Sequence, residues 1–354
     1  FMKVLHVVGA RPNFMKAAPL LRALRSCGIG QVLVHTGQHY SANMSDVFFT
    51  QLDIPVPDVN LGVGSGTHAC QTADVMVRFE PIVLDQRPDM VLVYGDVNST
   101  VAVTLVCSKI GVRVGHVEAG LRSFDRTMPE EINRLITDQL SDLLFTPSAD
   151  ADINLQREGI HPNKIHRVGN VMIDSLVHLL PASKHCTKNG FPDRYALVTL
   201  HRPSNVDHNE GLKSILEALL EINEGLAVVF PVHPRTRQRI VDFGIDARAL
   251  HLMDPIPYIE FLALQSRATV VITDSGGIQE ETTFLNVPCL TLRENTERPI
   301  TLTLGTNVLI GNDNRKLRQE MAKILEGKAK KGTVPPLWDG RAVERIANIL
   351  LHDM

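Results

Sequence analysis

Short apolar runs alternate with longer segments of helical periodicity along most of the chain, and this alternation constrains the fold more than any other feature. In the first half, strands are predicted at Lys3–Val8, Met90–Tyr94 and Val112–His116, with apolar residues at helical spacing between them. Strands that alternate with helices are joined by crossovers and therefore lie parallel. The sequence thus predicts an open, doubly wound α/β sheet.

The alternation stops at a polar stretch, Pro181–Pro192, and then restarts. We interpret this stretch as a linker or a surface excursion. Further strands are predicted at Ala196–Leu200, Ala227–Pro231 and Thr269–Thr273, and a last amphipathic helix from about Asp339 to Leu351. Two Rossmann-like units follow from this pattern. We expect an N-terminal domain at 2–175, a second domain at 176–336 and a C-terminal helical segment at 337–354.

Composition narrows the class of protein. The length of 354 residues suits two domains, and a hydrophobic fraction of 44% allows each of them a core. A formal net charge of -3 argues against a nucleic-acid partner or an anionic membrane surface. The chain has no apolar run of membrane length, and its five cysteines form no close pair, so we expect reduced thiols, no membrane insertion and a cytoplasmic location.

Polar side chains follow nearly every predicted strand, where ligands of open parallel sheets collect. They include Arg11, Lys16, Asp96, Glu118, His201 and His233. Carboxylates that meet in one site raise each other's pKa and can act as acid and base, and Glu130 would add a third to Asp96 and Glu118. The alternative for Glu130 or Glu131 is that it complements the positive end of the helix that begins there.

The segment Asp274–Glu281 follows a predicted strand and opens a helix. Because Gly276 and Gly277 lack side chains, a phosphate can approach backbone N–H groups at the helix start, and Ser275 can donate a further bond. Glu281 would accept from ribose hydroxyls. An ordinary serine N-cap with a glycine turn is the alternative. Arg298 is a candidate diphosphate clamp; the alternative for Arg293, Glu294, Glu297 and Arg298 is a surface salt-bridge loop, which we favour for at least Glu294.

Several common sites are excluded by missing motifs. No Gly-Lys-Ser/Thr P-loop is present, and no G-x-G-x-x-G follows the first strand, which argues against a dinucleotide cofactor. No histidine or cysteine spacing indicates a metal, and no G-x-S-x-G elbow indicates serine hydrolysis. We therefore expect neither a cofactor nor a metal.

Taken together, the motifs resemble the non-hydrolysing UDP-N-acetylglucosamine 2-epimerase family over nearly the whole chain. The matching segments are Gly9–Lys16, Gly95–Asp96, His116–Arg122, Pro129–Arg134, Leu200–Arg202, Pro231–Pro234, Asp274–Glu281 and Thr296–Pro299. The resemblance implies a glycosyltransferase-B-type fold whose last helix crosses back onto the first domain, a UDP-sugar substrate and a homodimer. It implies elimination of UDP to a 2-acetamidoglucal, followed by re-addition.

The resemblance also assigns roles to residues. Acid–base candidates are Asp96, Glu118, Glu130 and His201, and substrate-binding candidates are Arg11, Lys16, His233, Phe261, Ser275, Gly276, Gly277, Glu281 and Arg298. Phe261 matches the position that packs on uracil, and Glu281 matches the ribose ligand. Which carboxylate is acid and which is base stays open.

Two departures leave alternatives open. Many bacterial members have a second, regulatory UDP-GlcNAc site, but no arginine occurs in Gly62–His68 after Gln38 and His39, so we predict that such regulation is absent or altered. The segment Ser123–Met128 resembles relatives that act on UDP-2,3-diacetamido uronic acids, which keeps the sugar open. A UDP-sugar glycosyltransferase and a hydrolysing epimerase are the rival activities.

Overall fold

The computed structural model describes residues 2–37, 52–186 and 190–352. Their contacts divide the chain into two units. The first comprises the chain as far as His178 together with the segment that starts at Pro336, and the second is Leu179–Pro335. Within the described residues, no helix combines the length and the apolar character that a bilayer span requires.

The first unit is built on a parallel sheet of seven described strands with helices on its faces. The strands are β1 (Lys3–Val8), β2 (Gly30–His35), β3 (Val59–Asn60), β4 (Met90–Tyr94), β5 (Val114–Val117), β6 (Leu143–Thr146) and β7 (Ile165–Arg167), in the order β3-β2-β1-β4-β5-β6-β7. The helices are α1 (Arg11–Ser26), α2 (His68–Gln86), α3 (Asn98–Ile110), α4 (Pro129–Leu140), α5 (Ala149–Arg157), α6 (Val171–Lys184) and, from the chain's end, α14 (Ala342–His352).

The second unit repeats this arrangement with six described parallel strands. They are β8 (Tyr195–Thr199), β9 (Ala227–Pro231), β10 (His251–Met253), β11 (Val270–Thr273), β12 (Cys289–Thr291) and β13 (Asn307–Leu309), in the order β10-β9-β8-β11-β12-β13. Its helices are α7 (Pro203–Val206), α8 (Asn209–Asn223), α9 (Pro234–Asp242), α10 (Tyr258–Arg267), α11 (Gly276–Leu285), α12 (Ile300–Thr303) and α13 (Asn314–Leu325).

The central strands are apolar because both of their faces are covered. All five residues of β4 are buried, and Ala196, Leu197 and Val198 of β8 have no exposed surface. In each sheet the strand order reverses beside the first strand, between β1 and β4 and again between β8 and β11. Ligands of open α/β sheets bind outside the carboxyl ends of strands at such a reversal. The topology therefore marks one candidate binding site in each unit, at the carboxyl ends of the strands beside the reversal. We call this place the marked edge of the unit.

The last helix returns to the first unit, as the family resemblance implied. Helix α14 packs against α1, and the Asp174 carboxylate in α6 accepts hydrogen bonds from the backbone N–H groups of Ala342 (3.2 Å) and Val343 (2.8 Å). Trp338, which is buried just before this helix, donates from Nε1 to the Pro147 carbonyl at 2.9 Å. Asp174 thus caps free N–H groups at the helix start, and Trp338 anchors the segment that leads into it.

Two expectations about elements were wrong in detail. The interpretation of Pro181–Pro192 as a linker fails at its beginning, because α6 continues through Pro181 to Lys184 and keeps Ser183 buried. The last helix begins at Ala342 rather than Asp339, since Asp174 caps it there. The sequence also left β3, β13 and α13 unassigned: the two strands have only two and three residues, too short for a periodic signal.

Candidate active site

Lys16 and Glu118 form a buried ion pair at the marked edge of the first unit. Lys16 of α1 donates from Nζ to Glu118 Oε1 at 2.8 Å, and both side chains are at most 7% exposed. Glu118 directly follows β5 and has a φ of 75°, a left-handed conformation that is costly for glutamate. A side chain on Gly95, after β4, would lie 2.8 Å from Lys16 Nζ. Glycine at this position therefore leaves room for the pair.

Asp96 directly follows Gly95, and side chains of helix α4 bind it. Arg134 donates to Asp96 Oδ2 from Nη2 at 2.6 Å and from Nε at 2.9 Å, while Asn133 donates to the Asp96 carbonyl at 2.9 Å. The Asp96 side chain stays 24% exposed. A guanidinium that grips one carboxylate oxygen twice fixes its orientation and balances its charge. Asp96 is thus both held and open to solvent.

A fully buried pair, His116 and Asp138, ties the two carboxylate loops together. His116 Nε2 lies 2.8 Å from the Gly95 carbonyl, and Nδ1 lies 2.6 Å from Asp138 Oδ1. Asp138 also accepts from the Gly120 N–H at 3.1 Å. Burial raises the pKa of Asp138, but the opposing effects of His116 and Arg122 are larger in sum and lower it. The loops that carry Asp96 and Glu118 are therefore both linked to the Asp138 carboxylate, the first through His116 and the second through the Gly120 N–H.

The two glutamates at the start of α4 occupy different environments. Glu130 is exposed, and it makes no side-chain hydrogen bond or ion pair with the described residues. Glu131 is 2% exposed and accepts bonds from Ser123 and Phe124 as well as Arg134. Structural anchoring therefore belongs to Glu131, and a catalytic role for Glu130 stays a prediction.

Arg11, the first residue of α1 and a predicted substrate-binding residue, is exposed.

In the second unit, His201 and Asp274 form a dyad at the marked edge. His201 Nδ1 lies 2.9 Å from Asp274 Oδ1, and the His201 side chain is 47% exposed while Asp274 is fully buried. Asp274 also accepts from the backbone N–H groups of His201 (3.0 Å) and Arg202 (2.9 Å). Burial raises the pKa of Asp274, but the bonds to His201 and to these N–H groups lower it overall. Asp274 therefore holds the His201 ring through Nδ1, and Nε2 lies on the other side of the ring.

His233 lies beside this dyad. Its ring centroid is 6.5 Å from that of His201, and its Nδ1 accepts from the Arg235 N–H at 3.2 Å. Desolvation, together with the unfavourable interactions of a protonated His233 with His201 and Arg235, lowers the pKa of His233. His233 is therefore favoured in its neutral form near neutral pH.

Helix α11 begins with backbone N–H groups and no acidic side chain in its first turn. Ser275 is the N-cap residue and makes no side-chain cap bond within the described structure. A side chain on Gly276 would lie 2.5 Å from Arg298 Nη1 and 2.6 Å from Glu297 Oε1, so glycine lets the guanidinium reach the helix start. Arg298 is 8% exposed and pairs with two buried carboxylates: its Nε lies 2.9 Å from Glu280 Oε1, and its Nη1 donates to Glu297 Oε1. The N–H groups of the helix start suit an anion, whereas these two glutamates balance the charge of Arg298.

Two further residues that are predicted to bind the substrate lie on adjacent helices. Glu281 of α11 is 3% exposed and accepts a hydrogen bond at 2.7 Å from Tyr258 Oη at the start of α10. Phe261 lies one turn further along α10, is partly buried and packs against a cluster that includes Leu264. The structure thus brings the ribose and uracil candidates to one helix pair.

Sequence reasoning missed the residues that hold these groups. Asn13 accepts from the N–H groups of Gly9 (3.1 Å) and Ala10 (3.0 Å) and donates to the Tyr94 carbonyl at 2.8 Å, so it locks two strand ends. Arg134 had a usable signal, because it stands three residues after Glu131 on a predicted helix. Gln38 and His39, the predicted remnants of a regulatory site, lie outside the described residues.

Comparison with known proteins now identifies the family. The family model described as UDP-N-acetylglucosamine 2-epimerase matches residues 22–351. The UDP-N-acetylglucosamine 2-epimerase of Methanocaldococcus jannaschii is 44% identical, over 99% of each chain. The UDP-2,3-diacetamido-2,3-dideoxy-D-glucuronate 2-epimerase of Pseudomonas aeruginosa is 43% identical, again over 99% of each chain.

A solved structure is also similar to this chain over its whole length. The crystal structure of the Methanocaldococcus jannaschii UDP-GlcNAc 2-epimerase in complex with UDP-GlcNAc and UDP superimposes with a TM-score of 0.91 at 43% identity, covering 99% of this chain and 100% of that one. The predicted glycosyltransferase-B-type class, with two parallel-sheet α/β units, is confirmed, as is the predicted resemblance. The chain belongs to the UDP-N-acetylglucosamine 2-epimerase family.

Proposed function

We propose that this chain is a non-hydrolysing 2-epimerase that interconverts UDP-GlcNAc and UDP-ManNAc. The observation that carries the proposal is the pair of cation-held carboxylates, Glu118 on Lys16 and Asp96 on Arg134, on neighbouring strand ends of the first unit. Inversion at carbon 2 requires a proton to leave one face and return on the other, which two separately positioned groups can do. The names of relatives more than 40% identical support the same activity.

The reaction balances without a redox cofactor. A carboxylate takes the proton from carbon 2, the C–H electron pair becomes the C1=C2 double bond, and the C1–O bond breaks with its pair leaving on UDP. The 2-acetamidoglucal then accepts a proton at carbon 2 on the opposite face while a UDP oxygen re-forms the bond to carbon 1. Asp96, Glu118 and Glu130 are the candidates for these transfers, and Lys16 binds the sugar or a phosphate oxygen.

The second unit supplies the means by which UDP leaves. The carbon 2 proton is weakly acidic, so its removal must be coupled to departure of the diphosphate, whose growing charge needs fixed donors. Ser275, Gly276, Gly277 and Arg298 provide them, with Arg11 as a further cation. His201, backed by Asp274, donates to the diphosphate as a hydrogen-bonding group or acid. The remaining predicted contacts are His233 with the diphosphate, Glu281 with the ribose and Phe261 with the uracil.

Proton NMR of UDP-GlcNAc incubated with the protein in deuterated water tests this proposal. We expect deuterium at carbon 2 and growth of UDP-ManNAc signals without any acceptor sugar. Exchange without an epimer, or an unchanged substrate, would contradict it. Stoichiometric accumulation of free UDP with N-acetylmannosamine indicates the hydrolysing activity, and turnover only after an acceptor is added indicates a glycosyltransferase.

A related UDP-sugar is the second candidate substrate. The Pseudomonas aeruginosa relative, which is named for UDP-2,3-diacetamido-2,3-dideoxy-D-glucuronate, is almost as similar as the UDP-GlcNAc epimerase relative. The segment Ser123–Met128 carries the same resemblance. Comparison of kcat/KM for the two UDP-sugars decides between them, and a higher value for the uronate would replace UDP-GlcNAc as the substrate.

We further propose that the protein acts as a homodimer in the cytoplasm, as the family resemblance implies. Light scattering coupled to size-exclusion chromatography measures the oligomeric state directly. A molar mass twice that of one chain is expected, and the mass of a single chain at micromolar concentration would contradict the dimer.

A further inference from the structure

The loop between β5 and α4 carries an exposed aromatic side chain on a strained backbone. Phe124 is 75% exposed and has a φ of 58°. The left-handed conformation is costly for a non-glycine residue and persists only where the surroundings impose it. The backbone N–H of Phe124 is held by a hydrogen bond within the protein.

This bond ends on the buried carboxylate of Glu131. Glu131 Oε1 accepts from the Phe124 N–H at 2.9 Å, and Oε2 accepts from the Ser123 N–H at 3.0 Å and the Ser123 Oγ at 3.1 Å. Glu131 is 2% exposed. Three donors on one buried carboxylate are more than complementing a helix N-terminus requires. Glu131 therefore fixes the loop.

The same carboxylate is joined to Asp96 by a single guanidinium. Arg134 Nη1 donates to Glu131 Oε2 at 2.6 Å, and Arg134 Nη2 donates to Asp96 Oδ2 at 2.6 Å. One cation is thus shared between a buried anion and an anion that is 24% exposed. The position and charge of Arg134, as Asp96 senses them, depend on Glu131.

We propose that Glu131 is a positioning residue for the epimerisation, acting on Asp96 through Arg134. The inference rests on the proposed function and deepens it, since it separates the two adjacent glutamates of α4 into one that anchors and one that is exposed. The other charged groups near Asp96 belong to different elements: Lys16 of α1 and Glu118 after β5 flank Gly95. Glu131 is joined to Asp96 through the guanidinium of Arg134.

The charge relation predicts the direction of a pH effect. Removing the negative charge of Glu131 takes away one of the anions that bind the guanidinium, so Arg134 stabilises the Asp96 carboxylate more strongly and Asp96 holds its proton less tightly. The limb of the kcat/KM profile that Asp96 controls then moves to lower pH, whether Asp96 serves as acid or as base. Removing Arg134 instead takes away the cation and moves the same limb to higher pH.

The experiment measures pH profiles of kcat and kcat/KM for the wild type and for Glu131→Gln, on whichever UDP-sugar the wild type epimerises. We expect kcat to fall by about tenfold to a hundredfold, as a misplaced catalytic group implies, with KM within about twofold and the limb at lower pH. Arg134→Gln should move the limb to higher pH, and it decides the question if Glu131→Gln does not fold.

Asp174→Asn is the matched control, because it also neutralises a buried carboxylate that binds two backbone N–H groups of the same unit. It should leave the pH profile in place. A Glu131→Gln profile that coincides with that of Asp174→Asn, or an Arg134→Gln limb that does not move, overturns the inference while the function stands. A wild type that is inactive on both UDP-sugars overturns the proposed function, and the inference with it.

Discussion

The two units share one strand order around their reversal point but place opposite chemistry at it. In the first unit the edge carries carboxylates, Glu118 and Asp96, each held by a buried cation. In the second unit the edge carries a helix N-terminus and a half-exposed histidine, His201, with its anion buried behind it. The residues directly after the strands thus differ between the two units, and the function we propose assigns proton transfer to the first unit and diphosphate binding to the second.

Neutralising Glu118, in the first unit, should cause the largest loss of epimerase activity. Glu118→Gln keeps the size of the side chain but removes the acid–base group, and we expect kcat/KM to fall by about 1,000-fold, within the range of general acid–base catalysis. Deuterium exchange at carbon 2 should be lost in parallel. The exchange rate measured by NMR checks this, and a fall of less than about tenfold would exclude Glu118 as a proton-transfer group.

The dyad of the second unit should have the next largest effect. Asp274→Asn removes the anion that orients His201, so we expect kcat to fall by about 100-fold. His201→Asn should cost a similar amount, and the double variant little more, because the two residues act as a unit. Steady-state kinetics of the three variants test this, and additive losses would show that the two residues act independently.

Adding a methyl group at the start of α11 should weaken the binding of UDP. Gly276→Ala places a Cβ 2.5 Å from Arg298 Nη1 and 2.6 Å from Glu297 Oε1, so this ion pair must move, and we expect the Kd for UDP to rise by about tenfold. Gly211→Ala is the control, because its Cβ meets no atom within 4 Å in α8. Equal UDP affinities for the two variants would remove Arg298 and the helix start from the diphosphate site.

The smallest effect is expected on stability and concerns the cap of the last helix. Burial raises the pKa of Asp174 to about 6 from 3.8. The folded state thus holds this proton more tightly than the unfolded state, so the stability from this group is present at low pH and is lost as pH rises through about 6.

Urea unfolding of the wild type and Asp174→Asn at about pH 4 and pH 7.5 measures this effect. The wild type should lose up to about 3 kcal/mol relative to the variant between these values. Parallel changes in the two free energies of unfolding would contradict it. Catalytic activity should be unaffected, because Asp174 touches neither marked edge.

Local signals predicted most of the fold and the ends of the site-bearing strands. The strand Met90–Tyr94 was predicted with the bounds that the structure has, and Asp96, Glu118 and His201 each follow a strand as expected. Apolar runs between glycines and polar residues carry this information locally. The failures are short elements such as β3, and the helical residues after Pro181.

The partners of the site residues were beyond sequence reasoning because they are tertiary. Arg134 reaches Asp96 across 38 residues, and Asp274 reaches the His201 N–H across 73. A list of charges after strands does not say which cation is shared or which carboxylate is buried. The different environments of Glu130 and Glu131 depend on where the loop at Ser123 folds, so only coordinates distinguish these adjacent, identical residues.

The division of labour between the two units is tested most directly by calorimetric titration of UDP into Glu118→Gln and Gly276→Ala. We expect Glu118→Gln to bind UDP within about twofold of the wild-type affinity although it no longer exchanges the carbon 2 proton, and Gly276→Ala to bind UDP about tenfold more weakly. Weakened UDP binding in Glu118→Gln together with unchanged binding in Gly276→Ala would contradict the account.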